Sequence, residues 1–153
     1  MLREVSVSQE EIEPEAIEEV EEDSSPHPQW HIDMASFAEN GRSFRTLAES
    51  CLCKTCYQRL TGSRKKITDA DLITAITGCC SRSTGYINPR MPLLESIFRL
   101  FLANGNQPLE VEDLAKQLAE WRGIDIYYTS TGVLPRLLGS DRYYGIKMAD
   151  QEE

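Results

Sequence analysis

The sequence predicts a mainly α-helical protein, in which a small cysteine-rich helical domain precedes a three-helix domain that ends in a short β segment. Three observations favour this fold class. Apolar residues recur at i, i+3, i+4 and i+7 in several segments between residues 43 and 138. All five cysteines lie between Cys51 and Cys80, and residues 142–148 alternate between apolar and polar side chains as a strand does.

Charge is unevenly distributed along the 153 residues. Residues 1–25 hold ten acidic residues and one arginine, whereas residues 26–90 hold nine basic and five acidic residues. Residues 91–153 are again acidic, with six basic and ten acidic residues. The cysteine-containing region is therefore the basic part of an acidic chain.

These shifts in composition predict four segments. Residues 1–28 should form an acidic disordered tail and linker, because so many glutamates with so little apolar surface cannot drive folding. A cysteine-rich helical domain is predicted at 29–90, and a second domain at 91–148. Residues 149–153 would form an acidic C-terminal tail.

The composition favours a soluble, cytoplasmic protein that does not contact membranes. Five cysteines without a preceding basic and apolar leader argue against an exported disulfide framework. No apolar run reaches the roughly 20 residues that a membrane-spanning helix needs. The chain has only two histidines, His27 and His31, and lacks common hydrolase, metalloprotease and phosphate-loop motifs. We therefore expect neither enzyme activity nor a small-molecule substrate.

Ordered structure is expected to begin near Trp30, which is predicted to anchor the core. Ser43 is a suitable N-cap for a helix whose apolar stripe runs from Phe44 to Cys51. Cys51 is thereby predicted to be a packed thiol rather than a ligand. Further along, Thr68 and Asp71 have the spacing of a capping box. The helix that they open should end at Gly78.

Four cysteines form the candidate metal site: Cys53, Cys56, Cys79 and Cys80. Two residues separate Cys53 from Cys56, which allows both sulfurs to face one ion, as in zinc knuckles. The 22 residues between Cys56 and Cys79 resemble the spacing of four-cysteine sites. Adjacent ligands require a backbone turn between them, which a helix end at Gly78 would provide. The pattern predicts a tetrahedral Zn²⁺ site. An iron–sulfur cluster with the same ligands and a set of metal-free thiols are the alternatives.

The second predicted domain is the most regular part of the chain. Apolar spacing predicts helices over 93–102 and 109–121, the second ended by Gly123. A third, short helix should be capped by Ser130 or Thr131 and end at Gly139. Its predicted inward residues are Val133, Leu134, Leu137 and Leu138. A strand over 142–148 follows.

Two stretches of this domain resemble a known family. Pro108-Leu109-Glu110-Val111-Glu112-Asp113-Leu114-Ala115 resembles the start of the second helix of a helix-turn-helix. Leu134-Pro-Arg-Leu-Leu138 followed by Tyr143-Tyr-Gly-Ile146 resembles a recognition helix that runs into a wing. Residues 91–148 thus resemble a winged-helix domain, most closely the short-winged modules attached to bacterial transcription machinery. The resemblance implies a regulatory role and a protein partner in that machinery.

The sequence therefore favours a non-catalytic, zinc-binding regulatory or accessory protein that acts through a winged-helix-like domain. Nucleic acid is a candidate partner through Arg136 of the third helix, or through Arg64, Lys65 and Lys66 of the basic region. The net charge of −4 in residues 91–153 opposes phosphate contact by the second domain. A protein-interaction adaptor without nucleic-acid contact is thus the first alternative, and a redox sensor built on thiols or an iron–sulfur cluster is the second.

Overall fold

The computed structural model describes residues 28–123 and 132–149. In chain order the elements are β1 (Gln29–Ile32), α1 (Met34–Glu39), α2 (Phe44–Glu49), α3 (Lys54–Thr61), α4 (Asp69–Gly78), a 3₁₀ turn (Cys80–Arg82), α5 (Leu93–Ala103), β2 (Leu109–Glu110), α6 (Val111–Arg122), α7 (Leu134–Ser140) and β3 (Ile146–Met148). The mainly α fold class is confirmed. The tails predicted at 1–28 and 149–153, except Pro28 and Ala149, and the caps predicted at Ser130 and Thr131 lie outside the described residues.

The predicted helix ends rest on local hydrogen bonds. The Ser43 side chain accepts a hydrogen bond from the backbone N–H of Thr46 at 3.1 Å, which caps α2. Thr68 and Asp71 form the full capping box at the start of α4. Gly123 ends α6 with a positive φ of 70°, a conformation that glycine adopts without strain. These three predictions are confirmed.

A three-stranded antiparallel sheet has β1 as its central strand, between β2 and β3. Trp30 lies opposite Leu109 on one side and opposite Met148 on the other. The sequence indicates the start of order at Trp30 but does not predict that a strand forms there. Since β1 precedes residue 90 and both of its partners follow it, the sheet joins the two predicted domains.

Asn106 fixes the end of this central strand. Its side-chain Oδ1 accepts a hydrogen bond from the backbone N–H of Ile32 at 2.8 Å, and its Nδ2 donates to the Ile32 carbonyl at 2.9 Å. Asn106 itself has a left-handed φ of 62°, which asparagine tolerates better than most residues. One side chain therefore satisfies both backbone groups of a buried residue.

One hydrophobic core contains buried residues from both predicted domains. Phe44 of α2 makes edge contacts with Phe37 of α1 and with Phe98 of α5, at centroid distances of 5.6 and 6.2 Å. Helix α4 also packs on α5, and Thr77 donates a hydrogen bond to the Leu102 carbonyl at 2.9 Å. The boundary predicted between residues 90 and 91 thus lies within a shared core.

Three details of the second segment differ from the sequence prediction. Val133 is 55% exposed rather than inward, because α7 begins only at Leu134. Trp121 is 37% exposed, although its ring packs on Tyr86. The strand covers Ile146–Met148 only. Asp141 is buried, and its carboxylate accepts hydrogen bonds from the backbone N–H groups at 143, 144 and 146. These hydrogen bonds fold the residues between Asp141 and the strand into a turn.

Candidate metal centre

The sulfur atoms of three of the four predicted ligands converge, and the fourth, Cys80, adjoins them. The Sγ atoms of Cys53, Cys56 and Cys79 all lie within 4.8 Å of one another, and those of Cys53 and Cys79 are 3.9 Å apart. The Sγ of Cys80 accepts a hydrogen bond from the backbone N–H of Cys53 at 3.1 Å. These four close cysteines could hold a metal ion.

Two helix ends bring the sulfurs together. Cys53 is the N-cap of α3, and Cys56 lies in the first turn of that helix. Cys79 follows the last residue of α4 with φ −139° and ψ −61°, and Cys80 begins the 3₁₀ turn. The adjacent pair is therefore separated by the change of backbone direction that shared ligation requires.

The cluster lies at the edge of the core. Cys56 and Cys80 are buried, Cys53 is half-buried and Cys79 is exposed. All five cysteines are free thiols. The 3.9 Å separation of the Cys53 and Cys79 sulfurs is far beyond the roughly 2.05 Å of a disulfide bond. Two ligands are thus held by packing, while Cys79 is open to solvent and Cys53 is partly so.

Helix α3 has little other attachment to the protein. Cys56 is its only buried residue, and Leu60 is its only half-buried one. Isolated helices of this length are marginal in water, so tertiary contacts must stabilise α3. The cysteine cluster provides most of the contact available to it.

Local hydrogen bonds and burial separate the acidities of these thiols. The backbone N–H of Cys56, followed by the Cys80 thiol, lowers the pKa of Cys53 to about 7. Hydrogen bonds with Cys56 and Cys53 raise the pKa of Cys79. Desolvation is the main cause that raises the pKa of Cys80 to about 12. The Cys53 thiol therefore ionises more readily than those of Cys79 and Cys80, from which a metal ion would have to displace protons.

Arg59 is the one cation that the structure places directly against the cluster, within the described part of the chain. Its Nη2 donates to the Cys56 Sγ at 3.6 Å. Arg59 also lines a cavity of about 250 Å³ between α3 and α4, together with Lys65 and Lys66. Arg59 follows Cys56 by one helical turn, a spacing at which side chains on a helix meet, so the sequence itself indicates this contact.

The other predicted residues lie apart from this cluster. The thiol of Cys51 is 6% exposed and donates to the Leu47 carbonyl at 3.6 Å, as expected of a packed thiol. Its burial raises its pKa. Arg64 is exposed on the loop that carries Lys65 and Lys66, whereas Arg136 is exposed on α7.

No protein-family model, curated protein or solved structure matches this chain. Among the described residues, no helix has both the length and the apolar character needed to cross a membrane.

Proposed function

We propose that Cys53, Cys56, Cys79 and Cys80 bind one Zn²⁺ ion as a structural site. The observation that carries this proposal is the sulfur geometry. Tetrahedral coordination with Zn–S bonds of about 2.3 Å places ligand sulfurs about 3.8 Å apart. The Cys53 and Cys79 sulfurs are 3.9 Å apart before any adjustment of rotamers.

The same spacing favours a single ion over an iron–sulfur cluster. A cluster distributes its thiolates over several irons, and most ligand sulfurs then lie on opposite sides of it. Here the three sulfurs of Cys53, Cys56 and Cys79 are mutually within 4.8 Å. One tetrahedral ion accommodates this arrangement with less movement of the backbone.

A zinc ion at this position would explain how α3 is held. Structural zinc contributes directly to folding free energy, since the ligands are brought together only in the folded chain. Helix α3 buries only Cys56, so bonds from the ion to Cys53 and Cys56 would fix both its start and its orientation. The exposed thiol of Cys79 would complete the site from α4.

At the level of the whole chain, we propose a non-catalytic regulatory or accessory protein associated with transcription, acting through the winged-helix-like segment. The order α5, β2, α6, α7 and β3 supports this proposal, because it is the order expected for such a domain. One feature differs from the hairpin of a wing, since β3 pairs with β1 and not with a neighbouring strand of the same segment.

An adaptor that contacts only protein is the second candidate. Helix α7 and the residue before it present Val133, Arg136, Leu137 and Ser140 on one shallow surface, with Val133 largely exposed. Apolar exposure beside a single cation suits a protein partner better than a phosphate backbone. Salt-dependent binding of a DNA duplex separates the two, because an adaptor that contacts only protein would not bind it. Binding that weakens as the salt concentration rises would support the transcription role, and no binding even at low salt would contradict it in favour of the adaptor.

Cobalt substitution tests the metal proposal. Reduced, metal-free protein titrated with Co²⁺ should develop the sulfur-to-cobalt charge-transfer and visible bands of a tetrahedral thiolate site. These bands should saturate at one equivalent and disappear on addition of Zn²⁺. The variant Cys53→Ser should weaken them, while Cys51→Ser serves as a matched control that keeps all four ligands. Identical spectra for wild type and Cys53→Ser would refute the assignment.

A further inference from the structure

The stretch from residue 54 to residue 66 carries charge of a single sign. It contains Lys54, Arg59, Arg64, Lys65 and Lys66 and no acidic residue. All five are exposed, on α3 and on the loop that follows it. This is the densest cationic stretch of a chain whose net charge is −9.

Part of this charge lines a groove between α3 and α4. One cavity of about 250 Å³ has Arg59, Lys65 and Lys66 on its wall. A second, of about 350 Å³, extends to Cys79. Since Arg59, Leu60 and Asp71 line both cavities, the two adjoin and form one groove. The groove runs from the basic loop to the cysteine cluster.

The electrostatic balance of the groove is positive. Its lining contains three cations and one carboxylate, that of Asp71. An oxygen of this carboxylate accepts the backbone N–H of Thr68 at 3.0 Å, and that hydrogen bond lowers the pKa of Asp71. The carboxylate therefore stays charged but is engaged in capping α4. Three cations in a concave wall remain available to an anionic ligand.

Arg59 connects this groove to the candidate metal centre. Its guanidinium lines both cavities and also donates to the Cys56 sulfur at 3.6 Å. Bonds that fix α3 at Cys53 and Cys56 would therefore also fix the position of Arg59. A bound ion would therefore also order this side of the groove.

We propose that this groove binds the sugar–phosphate backbone of duplex DNA, through Arg59, Lys65 and Lys66. Cations on a concave surface match the phosphates of a nucleic acid, and such contacts are independent of base sequence. The net charge of residues 91–153 is −4, so the surface around α7 does not offer a comparable attraction. DNA contact by the metal-supported groove rather than by α7 deepens the proposed transcription-associated function and rests on it.

The test compares two double variants of equal charge change. Lys65→Ala with Lys66→Ala removes two groove lysines, and Arg90→Ala with Lys116→Ala removes two exposed cations elsewhere. Binding of a fluorescent 25-base-pair duplex, a length of about two and a half turns, is measured by anisotropy at several salt concentrations. The logarithm of the association constant falls as the logarithm of the salt concentration rises. In the groove variant this negative slope should be shallower by about 2, or about 1 for each lysine. The matched variant should keep a slope near that of wild type.

Several outcomes would overturn the proposal that this groove binds duplex DNA. These are equal slopes for the two double variants, loss of binding caused by Arg136→Ala instead, or preference for a single-stranded oligonucleotide of the same length. Zinc content measured on every sample separates this failure from failure of the metal proposal. If the wild type contains zinc but its DNA binding does not depend on Lys65 and Lys66, only the groove proposal is contradicted. Lysine-dependent binding by a zinc-free wild type contradicts only the metal site.

Discussion

Asn106→Ala should strongly destabilise the protein, because it removes the half-buried side chain that holds the end of the central strand. The substitution removes two hydrogen bonds, to the N–H and the C=O of Ile32. Ile32 is 1% exposed, so its backbone groups lose partners that water replaces poorly. An unsatisfied buried group costs about 1–3 kcal/mol, which gives about 3 kcal/mol for the pair.

Backbone conformation adds to this cost. Position 106 has a φ of 62°, and a left-handed conformation costs alanine about 1 kcal/mol. The expected total is thus about 4 kcal/mol, a large share of the roughly 5–15 kcal/mol that stabilises a domain. Asn106→Gly removes the same hydrogen bonds without the conformational strain, and should cost about 3 kcal/mol.

Urea unfolding followed by circular dichroism measures these differences. The midpoint should fall for both variants while the dependence on urea concentration stays unchanged, as for a loss of native stability. Asn106→Asp keeps the acceptor for the Ile32 N–H but places its second carboxylate oxygen against the Ile32 carbonyl oxygen, so it should be no more stable than Asn106→Gly. A loss below 1 kcal/mol for Asn106→Ala would refute the reasoning, and so would wild-type stability of Asn106→Gly.

Three further predictions follow from particular residues. Gly145→Ala should cost more than about 3 kcal/mol, because its Cβ would lie 2.5 Å from the Phe37 ring at a φ of 72°. Gly85→Ala, with φ 82° and open space, should cost only about 1 kcal/mol in thermal unfolding. The hydrogen bond from Thr68 lowers the pKa of Asp71, so its contribution is present above the ordinary carboxyl pKa and is lost as pH falls through the folded-state value. Asp71→Asn should therefore lower the melting temperature at neutral pH and reduce its decline in acid; an unchanged acid profile would contradict the cap. Finally, deletion of residues 1–25, which carry ten acidic residues, should tighten duplex DNA binding at low salt, and unchanged affinity would show that this segment does not compete for the cations.

Features set by neighbouring residues were predictable from the sequence. The caps at Ser43 and Thr68 and the end of α6 at Gly123 depend on residues within one turn. The cysteine pairs follow the same logic in part. The two-residue spacer brings the Cys53 and Cys56 sulfurs within 4.8 Å of each other, and the helix end places a change of backbone direction between Cys79 and Cys80. The two pairs meet because α4 packs so that its end lies beside the start of α3. The spacing of the cysteines indicated this meeting but could not establish the packing.

Features set by distant residues were not predictable in this way. Strand β1 has only four residues, and it becomes a strand because Leu109 and Met148 lie on either side of Trp30. The clamp from Asn106 reaches back 74 residues to Ile32. Tertiary contacts of this range leave no periodic pattern in a segment so short. The core shared by Phe44 and Phe98 has the same origin.

Metal content tests the central claim most directly. Native mass spectrometry with elemental analysis is performed on protein purified without added metal, on a Cys53→Ser, Cys79→Ser double variant, and on Cys51→Ser as the control. We predict one zinc per chain in wild type and in Cys51→Ser, with zinc and part of the helical signal lost in the double variant. A metal-free wild type, a brown iron-containing protein, or zinc retained by the double variant would contradict the claim that these four cysteines form a structural zinc site.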